Sequence, residues 1–150
     1  MEIRLSQLNY HIGNFEENVR KIVGEVNSAK ADEVDLIVFS ELSVCGYPPR
    51  DFLEFEDFIS RCEKAVAEIA TKCDGITAIV GAPLRNNAAS GKSLFNAAFV
   101  LADGSVKQVI KKSLLPNYDI FDEYRYFEPN REFGVVEVNG VRIALTICED

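Results

Sequence analysis

The feature that most constrains the fold is a succession of short apolar runs separated by two segments with helical periodicity. The stretch "IRLSQLNY" alternates apolar and polar residues, which is typical of a half-buried strand. "LIVFS" (36–40) and "ITAIVG" (76–81) are continuous apolar runs of the kind that form strands buried on both faces. The order strand, helix, strand, helix, strand predicts an α/β fold.

The two helical segments can be placed by their apolar stripes. Asn14 is predicted to cap the first helix, with Glu17 three residues later as the second member of a capping box. Apolar side chains then recur at i, i+3, i+4 and i+7, at Val19, Ile22, Val23 and Val26. From Asp51 the pattern is helical again, and its apolar face includes Cys62 and Cys73. These two cysteines are therefore predicted to be core residues.

The second half of the chain is predicted to contain two hairpins and a long loop. "FNAAFVLADGSVKQVIKK" and "FGVVEVNGVRIALTIC" each hold two strand-like runs, joined by turns at Asp103-Gly104 and Asn139-Gly140. Between them, "SLLPNYDIFDEYRYFEPNRE" has no clean period, and irregular segments of this length are often functional. The absence of a repeat or linker indicates a single unit. Because nothing covers the last strand, we expect further structure after residue 150.

Composition argues against several classes of function. The 150 residues carry a net charge of −8, which disfavours a nucleic-acid partner because affinity for phosphates comes mainly from Lys and Arg. No apolar run approaches the roughly 18 residues of a membrane span, and the N-terminus lacks the pattern of a secretory signal. The four cysteines form no CxxC pair and there is one histidine, so we expect no metal site and reduced thiols in a cytoplasmic protein.

Three polar residues follow predicted strands. Glu41 comes directly after "LIVFS", Lys112 closes "SVKQVIKK" and Cys148 closes "VRIALTI". Sites in α/β sheets lie at the carboxyl ends of the strands, so this carboxylate, ammonium and thiol could converge. Each also has a structural interpretation: a helix cap for Glu41, a solvated side chain for Lys112 and a packing residue for Cys148. Residue pattern alone leaves both interpretations open.

Such a trio is suited to nucleophilic cleavage of an amide. A free thiol is mostly protonated at neutral pH, and a carboxylate in a closed site can take its proton. The thiol then attacks the carbonyl carbon, and a fixed ammonium with backbone N–H groups stabilises the oxyanion. The carboxylate can next protonate departing ammonia and activate the water that cleaves the thioester. This chemistry needs neither histidine nor metal. Cys45, close to Glu41 in sequence, is the alternative nucleophile, although a Gly-Tyr-Pro-Pro turn follows it.

The segments around these residues resemble the nitrilase superfamily of carbon–nitrogen hydrolases. "FSEL" with Glu41, "KKSLLP" with Lys112 and "ICED" with Cys148 are similar to its three motifs and occur in the same order. The resemblance implies an α/β fold of the nitrilase-like four-layer α-β-β-α sandwich type. Residues 1–150 would be the amino-terminal portion of a carbon–nitrogen hydrolase domain. The resemblance also implies that Glu41 is the base, Lys112 the stabilising cation and Cys148 the nucleophile.

Two longer stretches, "ELSVCGYPPRDFL" and "LPNYDIFDEYRYFEP", are most similar to the glutamine-hydrolysing domains of glutamine-dependent NAD synthetases. That resemblance implies that glutamine is hydrolysed through a cysteine thioester. Ammonia would pass to a separate domain beyond residue 150, which uses ATP with Mg to convert deamido-NAD to NAD. It implies that Tyr118 contacts the glutamine, that Glu123 is a further pocket carboxylate positioning Lys112, and that the protein assembles as a homo-oligomer. No cofactor is expected within residues 1–150.

Two other functions stay open at this point. A stand-alone amidase or ureidohydrolase of the same superfamily would act on another small amide, and the sequence after residue 150 would distinguish it. A non-catalytic α/β interaction module would instead use an acidic face, for which the net charge of −8 is the motivation. In that case Glu41, Lys112 and Cys148 would all be structural.

Overall fold

A five-stranded mixed sheet organises the computed structural model, which describes residues 1–150. Its strands lie side by side in sequence order: β1 (Ile3–Ser6), β2 (Leu36–Phe39), β3 (Thr77–Arg85), β4 (Leu94–Ala102) and β5 (Ser105–Lys111). β1, β2 and β3 are parallel, whereas β4 and β5 each run antiparallel to the strand before. β5 therefore points in the same direction as β2 and β3. The carboxyl ends of these three strands lie at one end of the sheet.

Two helices connect the parallel strands and cover one face of the sheet. Their bounds are Phe15–Ala31 for α1 and Glu56–Ala70 for α2, which follows a 3-10 turn at Arg50–Glu54. Asn14 caps α1 as predicted, because its side-chain oxygen accepts a hydrogen bond from the N–H of Glu17 at 3.3 Å. The carboxylate of Glu17 bonds to Arg20 in the next turn instead of to the cap backbone. The reciprocal bond of a capping box is therefore not formed.

Apolar side chains on the two faces of the sheet form two cores. The helix-side core combines the stripes of α1 and α2 with the sheet residues that face them, including Ile37, Val80 and Phe99. Cys62 and Cys73 are fully buried in it, as the helical pattern predicts. The second core contains the alternate sheet residues Leu36, Ile79, Ala98, Val100 and Ile110. Because both faces of the sheet are covered in this region, the strand sequences are continuous apolar runs.

A separate hairpin packs against the second core. β6 (Val135–Val138) and β7 (Val141–Ala144) pair antiparallel and bury two valines against the sheet. Both predicted hairpins are present, and the central residues of their turns, Asp103–Gly104 and Asn139–Gly140, all have positive φ. That conformation matches the twist of the flanking strands. The layers are therefore helices, five-stranded sheet and hairpin.

The long segment 113–132 is irregular, as predicted, apart from one helical turn, α3 (Glu123–Tyr126). β1 and β7 are shorter than their apolar patterns suggest. Ile147 lies beyond β7 yet is buried in the second core, so its apolar character reflects packing and not a longer strand. None of the helices combines the length and hydropathy that crossing a bilayer requires.

Candidate active site

A buried ammonium lies between two carboxylates at the carboxyl end of the sheet. Lys112 directly follows β5, and its side chain has no exposed surface. Its Nζ atom lies 2.6 Å from Oε1 of Glu41 and 2.8 Å from Oε2 of Glu123. The backbone N–H of Lys112 donates to the carbonyl of Asn96 on β4 at 2.8 Å. The fold therefore brings together charged side chains from three separate segments.

Glu41 is carried by a tight turn that crosses over β3. The N–H of Val44 donates to the carbonyl of Gly81 at 3.0 Å, and the N–H of Gly81 donates to the Ser43 hydroxyl at 3.2 Å. A Cβ atom on Gly81 would lie 2.3 Å from the backbone nitrogen of Leu42, well inside contact distance. Glycine at this position therefore allows the turn to lie directly on the strand. The crossing places Glu41 over the end of the sheet.

Glu123 comes from α3 and is buried. Its Oε1 atom accepts a hydrogen bond from the hydroxyl of Tyr47 at 2.9 Å. Its Oε2 atom accepts from Lys112 and, at 3.4 Å, from the amide of Asn96. The structure places Glu123 beside Lys112, where the family resemblance expects a further carboxylate.

Two polar side chains of this cluster, Asn96 and Tyr47, are not predicted by the sequence patterns. Asn96 donates through Nδ2 to Oε1 of Glu41 at 2.7 Å as well as to Glu123. A signal for Asn96 exists, because it is the polar residue within the apolar run "LFNAAFVLA" and buried amides need partners. No local pattern marks Tyr47, since its partner lies 76 residues away in the chain.

Cys148 lies in a turn and not at the end of a strand, so the sequence-based placement is wrong. β7 ends at Ala144, and Cys148 has a positive φ of 51°. The ladder with β6 ends at the pair Val135 and Ala144, and beyond it a single long hydrogen bond of 3.5 Å runs from the N–H of Leu145 to the carbonyl of Gly134. The left-handed conformation then turns the chain at the thiol.

Cys148 and Glu41 line the same small cavity. The cavity has a volume of about 100 Å³, and its wall includes Asn96 and apolar residues of the second core. Cys148 is exposed, whereas Lys112 is fully buried. The site is therefore open on the side of the thiol and closed on the side of the ammonium.

Asp150 ties the Cys148 turn to the segment that follows Lys112. Its Oδ1 atom accepts hydrogen bonds from the N–H groups of Ser113 at 2.9 Å and Leu114 at 2.8 Å. Its Oδ2 atom accepts from the N–H of Ile147 at 3.2 Å. One carboxylate thus bonds to both segments and restricts the spacing between thiol and ammonium.

The charges around the cavity set the protonation of the site. Burial lowers the pKa of Lys112, but hydrogen bonds to Glu123 and Glu41 and their charges outweigh this effect and raise the pKa overall. The ammonium therefore stays charged. Partial burial raises the pKa of Cys148, and the charges of Glu41 and Glu123 raise it further against the opposing effect of Lys112. The thiol is protonated at neutral pH and needs a base.

Tyr118 lies outside the carboxylate–lysine cluster. Its exposed side chain donates a hydrogen bond to Oε2 of Glu149 at 2.8 Å, and this bond raises the pKa of Tyr118. The ring packs edge-on against Phe121, with centroids 5.7 Å apart. Tyr118 therefore stands beside the residue that follows Cys148, but it makes no hydrogen bond to Glu41, Glu123 or Lys112.

Cys45 does not reach the cavity. Its thiol is fully buried in the helix-side core, where a hydrogen bond with Cys62 and burial raise its pKa well above the usual value. A buried, neutral thiol is a poor nucleophile. The structure therefore disfavours Cys45 as the alternative to Cys148.

Comparison with known proteins gives the family. Residues 2–150 match the family model of carbon–nitrogen hydrolases. Glutamine-dependent NAD(+) synthetases from Xanthomonas campestris pv. campestris (strain 8004) and Aquifex aeolicus (strain VF5) are 38% and 39% identical to this chain over 153 and 152 residues. Both alignments cover 100% of this chain, but only 27% and 26% of those relatives. The chain thus spans about a quarter of the length of the curated relatives it matches.

Solved structures show the same fold. A glutamine-dependent NAD+ synthetase from Acinetobacter baumannii superposes with a TM-score of 0.90 at 37% identity, covering 99% of this chain and 27% of that one. An amidase from Nesterenkonia sp. is alike in fold, with a TM-score of 0.81 at 20% identity over 99% of this chain and 56% of that one. These matches confirm the expected nitrilase-like α/β fold. Because the family model extends over nearly all of its residues, the chain belongs to the carbon–nitrogen hydrolase family.

Proposed function

We propose that residues 1–150 belong to a glutamine amidohydrolase whose nucleophile is Cys148. The observation that carries the proposal is the contact of Lys112 with Glu41 and Glu123, together with the cavity that Glu41 shares with Cys148. This arrangement supplies a base, a cation and a thiol at one place. Glutamine as the substrate is supported by the names of the similar proteins, which are glutamine-dependent NAD(+) synthetases.

In the first half of the proposed reaction, Glu41 takes the proton of the Cys148 thiol. The sulfur attacks the side-chain amide carbon of glutamine and forms a tetrahedral intermediate. The Lys112 ammonium stabilises the oxyanion as charge develops, and loss of one such donor typically costs about 2.7–4 kcal/mol of barrier. Glu41 returns its proton to the leaving nitrogen, and ammonia departs from a thioester on Cys148.

In the second half, water cleaves the thioester. Glu41 acts again as base and takes a proton from the attacking water. A second tetrahedral intermediate forms against Lys112 and collapses, releasing glutamate and returning the proton to the Cys148 sulfur. The raised pKa of the Cys148 thiol fits this scheme, since the resting thiol keeps the proton that Glu41 must remove.

Two further residues have supporting roles in the proposal. Glu123 holds Lys112 in place, for which its 2.8 Å contact with Nζ is the support. Tyr118 contacts the glutamine, a role that rests on the family resemblance and on its position next to Glu149, which follows Cys148 in the chain.

The proposed ammonia acceptor belongs to a longer protein. We infer that a separate domain uses ATP with Mg to amidate deamido-NAD, which the NAD(+) synthetase relatives support by name. In this proposal the protein acts on small molecules in the cytoplasm, assembles as a homo-oligomer and needs no cofactor at the Cys148 site. Residues 1–150 form the amino-terminal portion of its hydrolase domain.

Replacement of Cys148 by alanine in the full-length protein tests this function. We expect glutamine-dependent NAD formation to fall by roughly 1000-fold or more, because the nucleophile is lost. NAD formation with added ammonium salt should continue at the parent rate. Cys45→Ala is the control, since it removes a buried thiol that does not line the cavity and should leave glutamine use intact.

Two outcomes would contradict the proposal. Continued use of glutamine by the Cys148→Ala protein would exclude Cys148 as the nucleophile. Release of ammonia from simple amides but not from glutamine by the parent protein would instead indicate a general amidase of the same family.

A further inference from the structure

We propose that Asn96 is a positioning residue for Glu41, and that its contribution is the N–H groups it donates to the two carboxylates rather than the space it fills. The inference deepens the proposed function, on which it rests in taking Glu41 as the base of the reaction.

Asn96 lies where three parts of the site meet. It is 1% exposed on β4, and its carbonyl accepts the backbone N–H of Lys112 at 2.8 Å. Its Nδ2 atom lies 2.7 Å from Oε1 of Glu41 and 3.4 Å from Oε2 of Glu123. Since carboxylates only accept, the NH₂ end of the amide must face them. Asn96 thus connects β4 with Lys112, Glu41 and Glu123.

These contacts determine which oxygen of Glu41 is free. Oε1 accepts hydrogen bonds from both Lys112 at 2.6 Å and Asn96 at 2.7 Å. Neither donor contacts Oε2, and Glu41 lines the cavity that also contains Cys148. Because Lys112 and Asn96 both donate to Oε1, they fix the orientation of the Glu41 carboxylate group. Oε2 then remains available to the thiol of Cys148. With Lys112 alone, the carboxylate could rotate about that single contact.

A second buried asparagine shows what a purely structural amide does in this protein. Asn18 is fully buried, and its Nδ2 atom donates to the carbonyls of His11 at 2.9 Å and Val44 at 3.2 Å. Its Oδ1 atom accepts the N–H of His11 at 3.0 Å. Both ends of Asn18 are therefore satisfied by backbone groups.

Asn96 differs from Asn18 at its acceptor end. The Oδ1 atom of Asn96 is buried without a hydrogen-bond partner. An unpaired buried acceptor destabilises a fold, and an apolar side chain of similar shape would avoid this penalty. Space filling therefore does not explain an amide at this position, whereas donation to Glu41 and Glu123 does.

The test is a pH titration of Cys148 that does not depend on the substrate. The rate of Cys148 alkylation by iodoacetamide is measured against pH by mass spectrometry in four full-length proteins: the parent, Glu41→Gln, Asn96→Leu and the double variant. The groups that face Cys148 are Glu41, Glu123, Lys112, Tyr47, Tyr118 and the adjacent Glu149. Glu41→Gln removes the charge of Glu41 alone, whereas the Asn96 replacement removes the hydrogen bonds of its amide to Glu41 and Glu123, so the effect of Glu41 is compared within each background.

We expect Glu41→Gln to lower the midpoint pH of alkylation in the parent background, because an anion beside the thiol is removed. In the Asn96→Leu background the same replacement should lower the midpoint by less than half as much, since Glu41 is no longer held toward the thiol. Equal shifts in the two backgrounds would overturn the inference. So would the absence of any shift in the parent, because Glu41 would then not lie beside Cys148.

Asn86→Leu is the matched control for general loosening. It removes an amide that bonds only to backbone groups of its own loop, donating to the carbonyl of Lys92 at 2.8 Å and accepting the N–H of Ala88 at 3.0 Å, and should lower the melting temperature while leaving the Glu41→Gln shift unchanged. A reduced shift in this background as well would overturn the inference. Asn96→Ala provides a second variant without N–H donors, and it should behave like Asn96→Leu. A full shift in either Asn96 variant would overturn the inference, because the side-chain N–H groups would then not be needed to hold Glu41.

Kinetic measurements of glutamine hydrolysis distinguish failure of this inference from failure of the proposed function. Loss of the Asn96 amide should reduce kcat for glutamine roughly tenfold or more, with KM nearly unchanged, because a hydrogen bond to a charged group is lost from the catalytic step. If the parent does not hydrolyse glutamine, the proposed function fails, while the titration still decides whether Asn96 positions Glu41.

Discussion

Lys112 keeps its charge in the interior because two carboxylates and their own donors surround it. Removing an ammonium from water costs several kcal/mol, and only close, well-bonded partners offset this penalty. Glu41 and Glu123 provide those partners at 2.6 and 2.8 Å, and Asn96 and Tyr47 supply further hydrogen bonds to the carboxylates. The cluster has one cation for two anions. Its excess negative charge helps to keep the nearby thiol of Cys148 protonated.

Replacing Lys112 with methionine should destabilise the protein strongly. We expect the free energy of unfolding at pH 7 to fall by about 3–5 kcal/mol, because two carboxylates lose their buried cation. The difference in unfolding free energy between the parent and the variant should become smaller as the pH is lowered toward about 4, where carboxylates take up protons. Urea unfolding at several pH values measures both effects.

The neighbouring lysine gives the control for this prediction. The ammonium of Lys111 lies 4.2 Å from the centre of the Phe95 ring and makes no ion pair. Lys111→Met should cost about 1 kcal/mol or less, with little dependence on pH. Equal losses for the two variants would show that the carboxylates do not depend on Lys112.

At the scale of elements, strand direction and one glycine assemble the site. β2 and β5 point the same way, so Glu41 and Lys112 leave the sheet at the same end. The turn that carries Glu41 must then lie flat on β3, and Gly81 is the point of closest approach. The positive φ of Leu42 marks the tightness of this turn. A small change in β3 is therefore expected to move Glu41.

Gly81→Ala should reduce both stability and activity. The added Cβ would lie 2.3 Å from the nitrogen of Leu42, so the turn must shift away from β3. We expect a loss of about 1–3 kcal/mol in unfolding free energy and a larger fractional loss of kcat, because the displacement moves Glu41. Thermal unfolding and glutamine hydrolysis in the full-length protein measure the two effects.

Gly24→Ala is the matched control. Gly24 lies within α1, and a Cβ there would meet no atom within 4 Å. This replacement should stabilise the protein by about 0.5–1 kcal/mol and leave kcat unchanged, because alanine favours the helix. Activity losses of similar size in both variants would contradict the role assigned to Gly81.

At the scale of the whole molecule, the two faces of the sheet are covered to different extents. Helices cover the face in contact with α1 and α2, whereas the hairpin covers only part of the other. On β1, Ile3 is 46% exposed and Leu5 is 75% exposed. Ile3 pairs with Leu36 of the second core, and Leu5 pairs with Val38, which packs against that core. An apolar strip of this kind marks a surface that another layer can cover. The proposed continuation of the hydrolase domain would provide that layer.

Leu5→Asn tests whether this strip is covered in the full-length protein. If it is, the variant should lose about 2 kcal/mol or more of unfolding free energy, since an apolar side chain is replaced by an unpaired amide. Phe55→Gln is the control, because Phe55 is 61% exposed and lies directly before α2, on the helix side, and glutamine is not a favoured helix cap. It should change stability by about 0.5 kcal/mol or less. Near-zero effects for both would contradict coverage by a further layer.

The local patterns of the sequence predict the elements well, because helix stripes, apolar runs and tight turns depend on residues within a few positions of one another. The Asn14 cap, the core positions of Cys62 and Cys73 and both hairpin turns follow from such patterns. The chemical types at Glu41, Lys112 and Cys148, together with the motif resemblance, also point to the candidate site without tertiary information.

The tertiary structure decides which side chains come into contact. Lys112 and Glu41 are 71 residues apart and Asn96 and Glu41 are 55 apart, so no local period relates them. Cys148 lies in a turn beyond the last paired residue of β7, Ala144, and strand-like composition alone does not indicate where the pairing ends. Periodicity records which side of an element is buried, whereas register and strand direction determine which buried groups meet. For that reason the sequence pointed to Glu41, Lys112 and Cys148 as candidates, whereas only the folded chain revealed that Asn96, Tyr47 and Gly81 contact or position the cluster.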